Sequence, residues 1–407
     1  MPDDTPGLTP FGKFVVALLI GSSGFGAWWY FIRNAPPANP ANISSTTPAP
    51  TPNPGNQPTT VPASVSIGVV YGSEKEAWMR WSQEAFKATP AGRDVDLVLT
   101  KKGSIDAARQ VVNEATSANI AVWLPSTSLG LDAFLADWKV AHSDDPIARR
   151  ETLAITPMVL IWWQERYQAF MAKYRGVGIK ELSLGLAEPG GWQTIANKPE
   201  WGLLKVGHAH PLKSGSGVTS LALLAQLHRG GTKALTMADV LDRPRIEWLT
   251  GFEQAVSGLS DSTGTQMKDM VLRGPSTYDC VLAYESVAID YLVAANGRWG
   301  DLHVVYPEVT MWADNPALVF KGAWLDSKET AAANAFIDFL LSEAAQKRAV
   351  THGFRPGDPR IPVLFPESPF VLAQSRGVSN QLGQAAEMPG SDVIATLVQQ
   401  WTRRVAR

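Results

Sequence analysis

The sequence has one cysteine, Cys280, in 407 residues, which excludes an intrachain disulfide framework. Its apolar surroundings, YDCVLAYES, mark that thiol as a small buried core group. It has no charge excess either. With 36 Lys and Arg against 38 Asp and Glu, it lacks the basic footprint that nucleic-acid binding requires. There is no G-x-x-x-x-G-K-[ST] phosphate loop, and the one run resembling a G-x-S-x-G elbow has Ser214 in place of the leading glycine. No cluster of Cys, His and carboxylates has metal-ligand spacing: His208 and His210 stand two apart and His228 is distant. Neither a cofactor nor a metal is expected, nor is an enzyme.

Charge is also missing from the N-terminal region. Between Lys13 and Arg33 lie nineteen uncharged residues, FVVALLIGSSGFGAWWYFI, enough for a helix spanning the ~30 Å apolar core of a bilayer. Trp28, Trp29 and Tyr30 favour the membrane–water interface. The competing reading is a cleaved secretory signal, but bulky WWYF occupies the place of the small-residue cleavage site. Residues 1–33 are therefore expected to form a cytoplasmic tip and single-pass anchor. Residues 34–63 hold nine prolines and no charge, a composition that buries nothing and suits an extended tether.

What is present beyond residue 63 is an alternation of strand and helix patterns. SVSIGVVYG (64–72) reads as a buried strand. The helix SEKEAWMRWSQEAFKA follows, with Ser73 and Glu76 as a capping box. DVDLVLTKKG is a second strand, followed by a helix capped by Ser104. NIAVWLPSTS is a third, ending in Ser126, Thr127 and Ser128. This rhythm implies a parallel sheet flanked by helices, with ligands beyond the carboxyl ends of its strands. LAITPMVLIWW (153–163) is long enough to pass into a second α/β unit, and 302–324 reads as a return strand. The expected architecture has a first lobe of about 64–158 and 310–401, a second of about 159–309, and a short tail, 402–407.

Several motifs suit a cleft between such lobes. Ser214-Gly215-Ser216-Gly217 precedes an apolar helix pattern, so backbone N–H groups and hydroxyls converge where the helix dipole favours an anion. His210 could present a donor to that anion. Glu285, after Tyr284, reads as a helix-start carboxylate satisfied by backbone amides. DSTGT (261–265) is read as a polar loop capping a helix. Trp78, Trp123 and Trp192 could stack on a sugar or amine.

These stretches resemble the bacterial extracellular solute-binding proteins of the type II periplasmic-binding-protein fold, in the branch often associated with von Willebrand factor A domains. The likeness rests on G-S-E-K-E-A-W (Gly72 to Trp78) and on Trp201 with G-H-A-H-P-L-K-S-G-S-G (Gly207 to Gly217). Y-D-C-V-L-A-Y-E (Tyr278 to Glu285), Y-P-E-V-T-M-W-A-D-N-P (Tyr306 to Pro316) and the stretch from Phe336 to Pro356 complete it. The family block commonly reads G-H-T-D-P-x-x-S-N-S-G, so Ala209, His210 and Gly215 are departures. The resemblance implies a two-lobed clamshell, preceded by the transmembrane helix, that works outside the cytoplasm. Closure would bury a small polar solute, first of all an oxyanion, among Ser73, Ser126, Thr127, His210, Ser214, Gly215, Ser216, Tyr284 and Glu285, the last of which the resemblance turns to the cleft, to accept from the ligand or pair with Lys213. The partners implied are an ABC permease or a von Willebrand factor A domain protein. The rival functions are a sensor or scaffold of a membrane complex and, from another class, a serine hydrolase.

Overall fold

The computed structural model describes residues 64–142, 144–295 and 297–406. The expected anchor (1–33) and tether (34–63) lie outside the described residues. Among the described residues no helix is long and apolar enough to cross a membrane.

The chain opens with three strands at the positions their β-branched runs predict: β1 (Val65–Tyr71), β2 (Val95–Lys101) and β3 (Ile120–Leu124). Strand β4 (Ile147–Thr152) follows, then the ten-residue β5 (Ala154–Trp163). Four short strands come next in chain order: β6 (Val206–Ala209), β7 (Gly258–Ser260), β8 (Cys280–Tyr284) and β9 (Leu302–Val305). The expected single return strand over 302–324 is broken further, into β10 (Val309–Thr310), β11 (Trp312–Ala313) and β12 (Pro316–Phe320). Pro307 and the left-handed Asn315 interrupt the run.

Two sheets result. The first has the order β2-β1-β3-β12-β4, with β1 parallel to both β2 and β3. β12 enters antiparallel between β3 and β4, so the sheet is mixed rather than wholly parallel. The second sheet runs β11-β5-β8-β6-β7, with β9 and the strand Arg355–Pro356 also on β5. β5 is the crossing: its start pairs with β11 and its end with β8 and β9. The return through β11 and β12 leads back to the first sheet. Two crossings between two sheets make a two-lobed α/β molecule hinged along β5.

Each lobe has its own core. In the first, Trp78, Met79 and Phe86 of the helix Glu76–Lys87 meet Phe336, Ile337 and Leu340 of the helix Ser327–Leu341. In the second, the almost wholly buried helix Gly215–Arg229 packs with β5, β8, Met267 and Met270. The final segment departs from the expected division, which gave 310–401 to the first lobe. Phe370, Val378, Ile394, Leu397 and Trp401 join the second lobe's core, and the helix Ser391–Arg404 runs into the expected tail. The amphipathic pattern of that helix predicted a buried face but not which lobe it covers.

Three local expectations are corrected. Ser73 does not cap the helix Glu76–Lys87, since a single 3₁₀ turn, Ser73–Lys75, intervenes and Lys75 takes the cap position. Ser104 is the first residue of the helix Ser104–Glu114 and Gly103 is its cap. Trp78, Trp123 and Trp192 are core groups rather than stacking platforms. Trp78 lies 5.5 Å from Phe354, Trp123 lies 4.8 Å from Phe134, and Trp192 Nε1 donates to Asp279.

Candidate functional site

The carboxyl ends of β1 and β3 in the first lobe face the starts of the helices Gly215–Arg229 and Thr263–Arg273 in the second. Hydroxyl groups fill the junction. Ser104 Oγ lies 3.0 Å from Ser126 Oγ and accepts from Ser126 N–H. Tyr284 O–H donates to Ser126 Oγ at 3.3 Å, and Thr219 Oγ1 is 3.4 Å from the same phenol. Beside this chain, Ser214 Oγ is 3.0 Å from Ser216 Oγ, which contacts Thr263 Oγ1. All of these side chains are buried. Burial also pushes the Tyr284 phenol above its ordinary value, so it stays a neutral donor.

The lobes approach closely here. A methyl group at Gly215 would lie 2.3 Å from Ser126 Oγ, and one at Gly103 would lie 2.5 Å from Lys213 O. Ile105 N–H and Asp106 N–H, at the start of the first-lobe helix, donate to that same Lys213 carbonyl at 3.3 and 3.4 Å. Ser73 Oγ accepts from Gly264 N–H at 3.2 Å, which is the role its hydroxyl takes instead of a helix cap. Three helix starts thus converge on uncharged hydroxyls, an arrangement that stabilises negative charge without a counter-cation.

The expected site residues divide. Ser73, Ser126, Ser214, Gly215, Ser216 and Tyr284 are brought together at the junction. Thr127 is there through its methyl, 3.1 Å from the place a Gly215 side chain would take, while its hydroxyl accepts from Leu129 N–H. His210 is not. Its Nδ1 accepts from Leu212 N–H, and its ring meets Trp401 edge-on at 5.1 Å. Burial, with Lys213 nearby, lowers its pKa, so it offers no standing cation. Glu285 is also diverted. Its carboxylate takes a two-pronged bond from Arg355, both contacts 2.8 Å, and one from Tyr306 O–H. Lys213 pairs instead with Asp261, at 2.8 Å. Ser104 was read only as a helix cap, Thr263 and Gly264 only as part of a capping loop, and Thr219 not at all; the tertiary fold aims them at the junction.

A serine hydrolase finds no support in this geometry. Ser214 contacts Ser216, which contacts Thr263, and among the described residues no histidine side chain hydrogen-bonds either serine hydroxyl. His208 is engaged elsewhere: Nδ1 donates to Ala209 O and Nε2 to Glu253, 2.8 and 3.0 Å away. Two donating nitrogens require the imidazolium. Burial opposes that charge, but Glu253 outweighs it and raises the His208 pKa.

Residues 67–355 match the family of bacterial extracellular solute-binding proteins. The chain belongs to that family. No curated protein matches it significantly. Among solved structures, the sulfate-binding protein SubI of Mycobacterium tuberculosis H37Rv superposes with a TM-score of 0.52 at 18% identity, covering 84% of this chain and 98% of its own. A periplasmic thiamin binding protein reaches 0.57 at 14% identity, covering 84% and 97%. Iron-bound HitA of Pseudomonas aeruginosa gives 0.53 at 16%, covering 83% and 97%. At such identities the likeness establishes the fold: the solute-binding protein has the two-lobed type II periplasmic-binding-protein architecture. The family and these neighbours are binding proteins rather than enzymes.

Proposed function

We propose that this solute-binding protein holds a small oxyanionic solute between its lobes, outside the cytoplasm, and presents it to a membrane permease of the ABC type. The binding residues are Ser73, Ser126, Thr127, Ser214, Gly215, Ser216 and Tyr284, joined by Ser104, Thr219 and Thr263. Residues 14–32 would anchor the chain in the membrane, with 34–63 as the tether. The observation that carries this reading is the meeting of three helix starts with buried, uncharged hydroxyls from both lobes. Glu285 presents no obstacle to an anion, because Arg355 neutralises it.

A thermal-shift series on the full chain with phosphate, sulfate, molybdate and simple organic phosphonates, sulfonates and carboxylates tests the proposal. Ligand at about a hundredfold its Kd adds roughly 2.7 kcal/mol of stability, or several degrees of melting temperature. At least one oxyanion should give that shift, and Ser214→Ala with Ser216→Ala should abolish it. Stabilisation by neutral sugars alone, or a shift the double substitution leaves intact, contradicts the reading.

A further inference from the structure

Next to the hydroxyl junction, with Ser73 and Gly264 in its wall, lies a cavity of about 590 Å³ lined by both lobes. Its volume is about twenty times the ~30 Å³ share of one water, far beyond what a bare tetrahedral oxyanion displaces. It falls instead in the range of pockets that hold small organic molecules. The wall carries charges of both signs, and its buried charge is a carboxylate. Glu74, almost fully buried, gives one carboxylate oxygen to Lys75 and lines the cavity. That carboxylate lies close over Gly72: a Cβ there would come within 2.2 Å of Oε1, and the carboxylate would have to move. Asp290, whose Oδ1 faces His352 at 3.2 Å, adds a second carboxylate. Tyr291, its hydroxyl turned to Gly264 O, adds an aromatic ring. Three basic groups stand on the rim: Arg80 and Lys101 both bond Glu76, and Lys268 points from an exposed position. Ala77, Val287 and Ala294 supply the remaining apolar wall.

Resting on the oxyanion reading above, we infer that the solute is a short zwitterion. Its anionic head would meet the hydroxyl junction, and its ammonium would lie in the cavity against Glu74, Asp290 and the Tyr291 ring. Paired carboxylates and an aromatic face suit an organic ammonium, by charge and by cation–π attraction. The small apolar wall suits a linker of a few methylenes.

The test uses matched probes on the full chain by isothermal titration: aminoethyl and ethyl forms of phosphonate, sulfonate and carboxylate, with inorganic phosphate and sulfate. In at least one pair the amine should bind tenfold or more tighter than its amine-free partner. Glu74→Gln should erase that preference and leave the amine-free probe unchanged. Because Glu74→Gln also disturbs Lys75, a second variant, Thr265→Trp at the exposed cavity wall, provides an independent arm. It should exclude the aminoethyl probe and spare the inorganic ion. Equal binding within every pair, or an inorganic ion bound as tightly as the aminoethyl probe, overturns the zwitterion and leaves the oxyanion site standing. No binding of any anion overturns both.

Discussion

Buried charges in the second lobe are held as pairs, Glu285 with Arg355 and His208 with Glu253. Glu285 and Arg355 form a bidentate pair sealed from solvent where the strand Arg355–Pro356 meets β5. Removing one partner leaves a buried charge without compensation. Arg355→Met should therefore cost about 3–5 kcal/mol in urea denaturation, with Glu285→Leu added in the same chain recovering much of it. A loss under about 1 kcal/mol would show the carboxylate to be solvated. His208 gives a pH signature. Its folded pKa lies above the ordinary value, so the native state holds the proton more tightly than the unfolded chain. The resulting stability is complete below the unfolded pKa near 6.5 and disappears as pH rises through the folded value. Denaturation midpoints from pH 5.5 to 9 should fall more steeply upward of 6.5 in the wild type than in His208→Gln. Parallel profiles would contradict the imidazolium assignment.

Helix starts are the elements that matter, and their legibility was uneven. The hydroxyl-rich start at Ser214 was readable because S-G-S-G before an apolar run has few other uses. Ser104 and Thr263 were read only as parts of helix starts, because a hydroxyl that caps and a hydroxyl that crosses a cleft look identical in one dimension. Glu285 was placed in the cleft by the family resemblance, and its actual partner, Arg355, stands 70 positions away, beyond any local pattern. His210 was drawn to the cleft by its place in the motif, yet the C-terminal helix claims its ring through Trp401. Gly215 gives the sharpest test of how these starts meet. Alanine suits a helix, so Gly215→Ala should leave folding intact. Its methyl would nonetheless collide with Ser126 Oγ across the cleft. The variant should lose at least tenfold in solute affinity, and small-angle scattering should find its lobes more open in saturating solute than the wild type. Unchanged affinity would mean that closure does not bring these residues together.

For the whole molecule, the strand and helix rhythm made the two lobes and the β5 crossing legible, since both depend on local periodicity. The mixed order of the first sheet was not, because β12 arrives after nearly two hundred residues of intervening chain. Nor was the attachment of the final helix to the second lobe, which is decided by whichever apolar surface remains uncovered there. The resulting molecule has hydroxyls from each lobe at one junction, so the proposed capture requires a contribution from both lobes. A hydrogen bond to a charged ligand contributes about 1.5–3 kcal/mol, which is roughly tenfold or more in affinity. The most direct measurement is isothermal titration of the full chain with the tightest-binding oxyanion from the thermal-shift series, repeated on Ser126→Ala and on Ser214→Ala. One site per chain, weakened roughly tenfold or more by each substitution, is the predicted result. Binding that depends on only one of the two serines, or on neither, would contradict capture between the lobes.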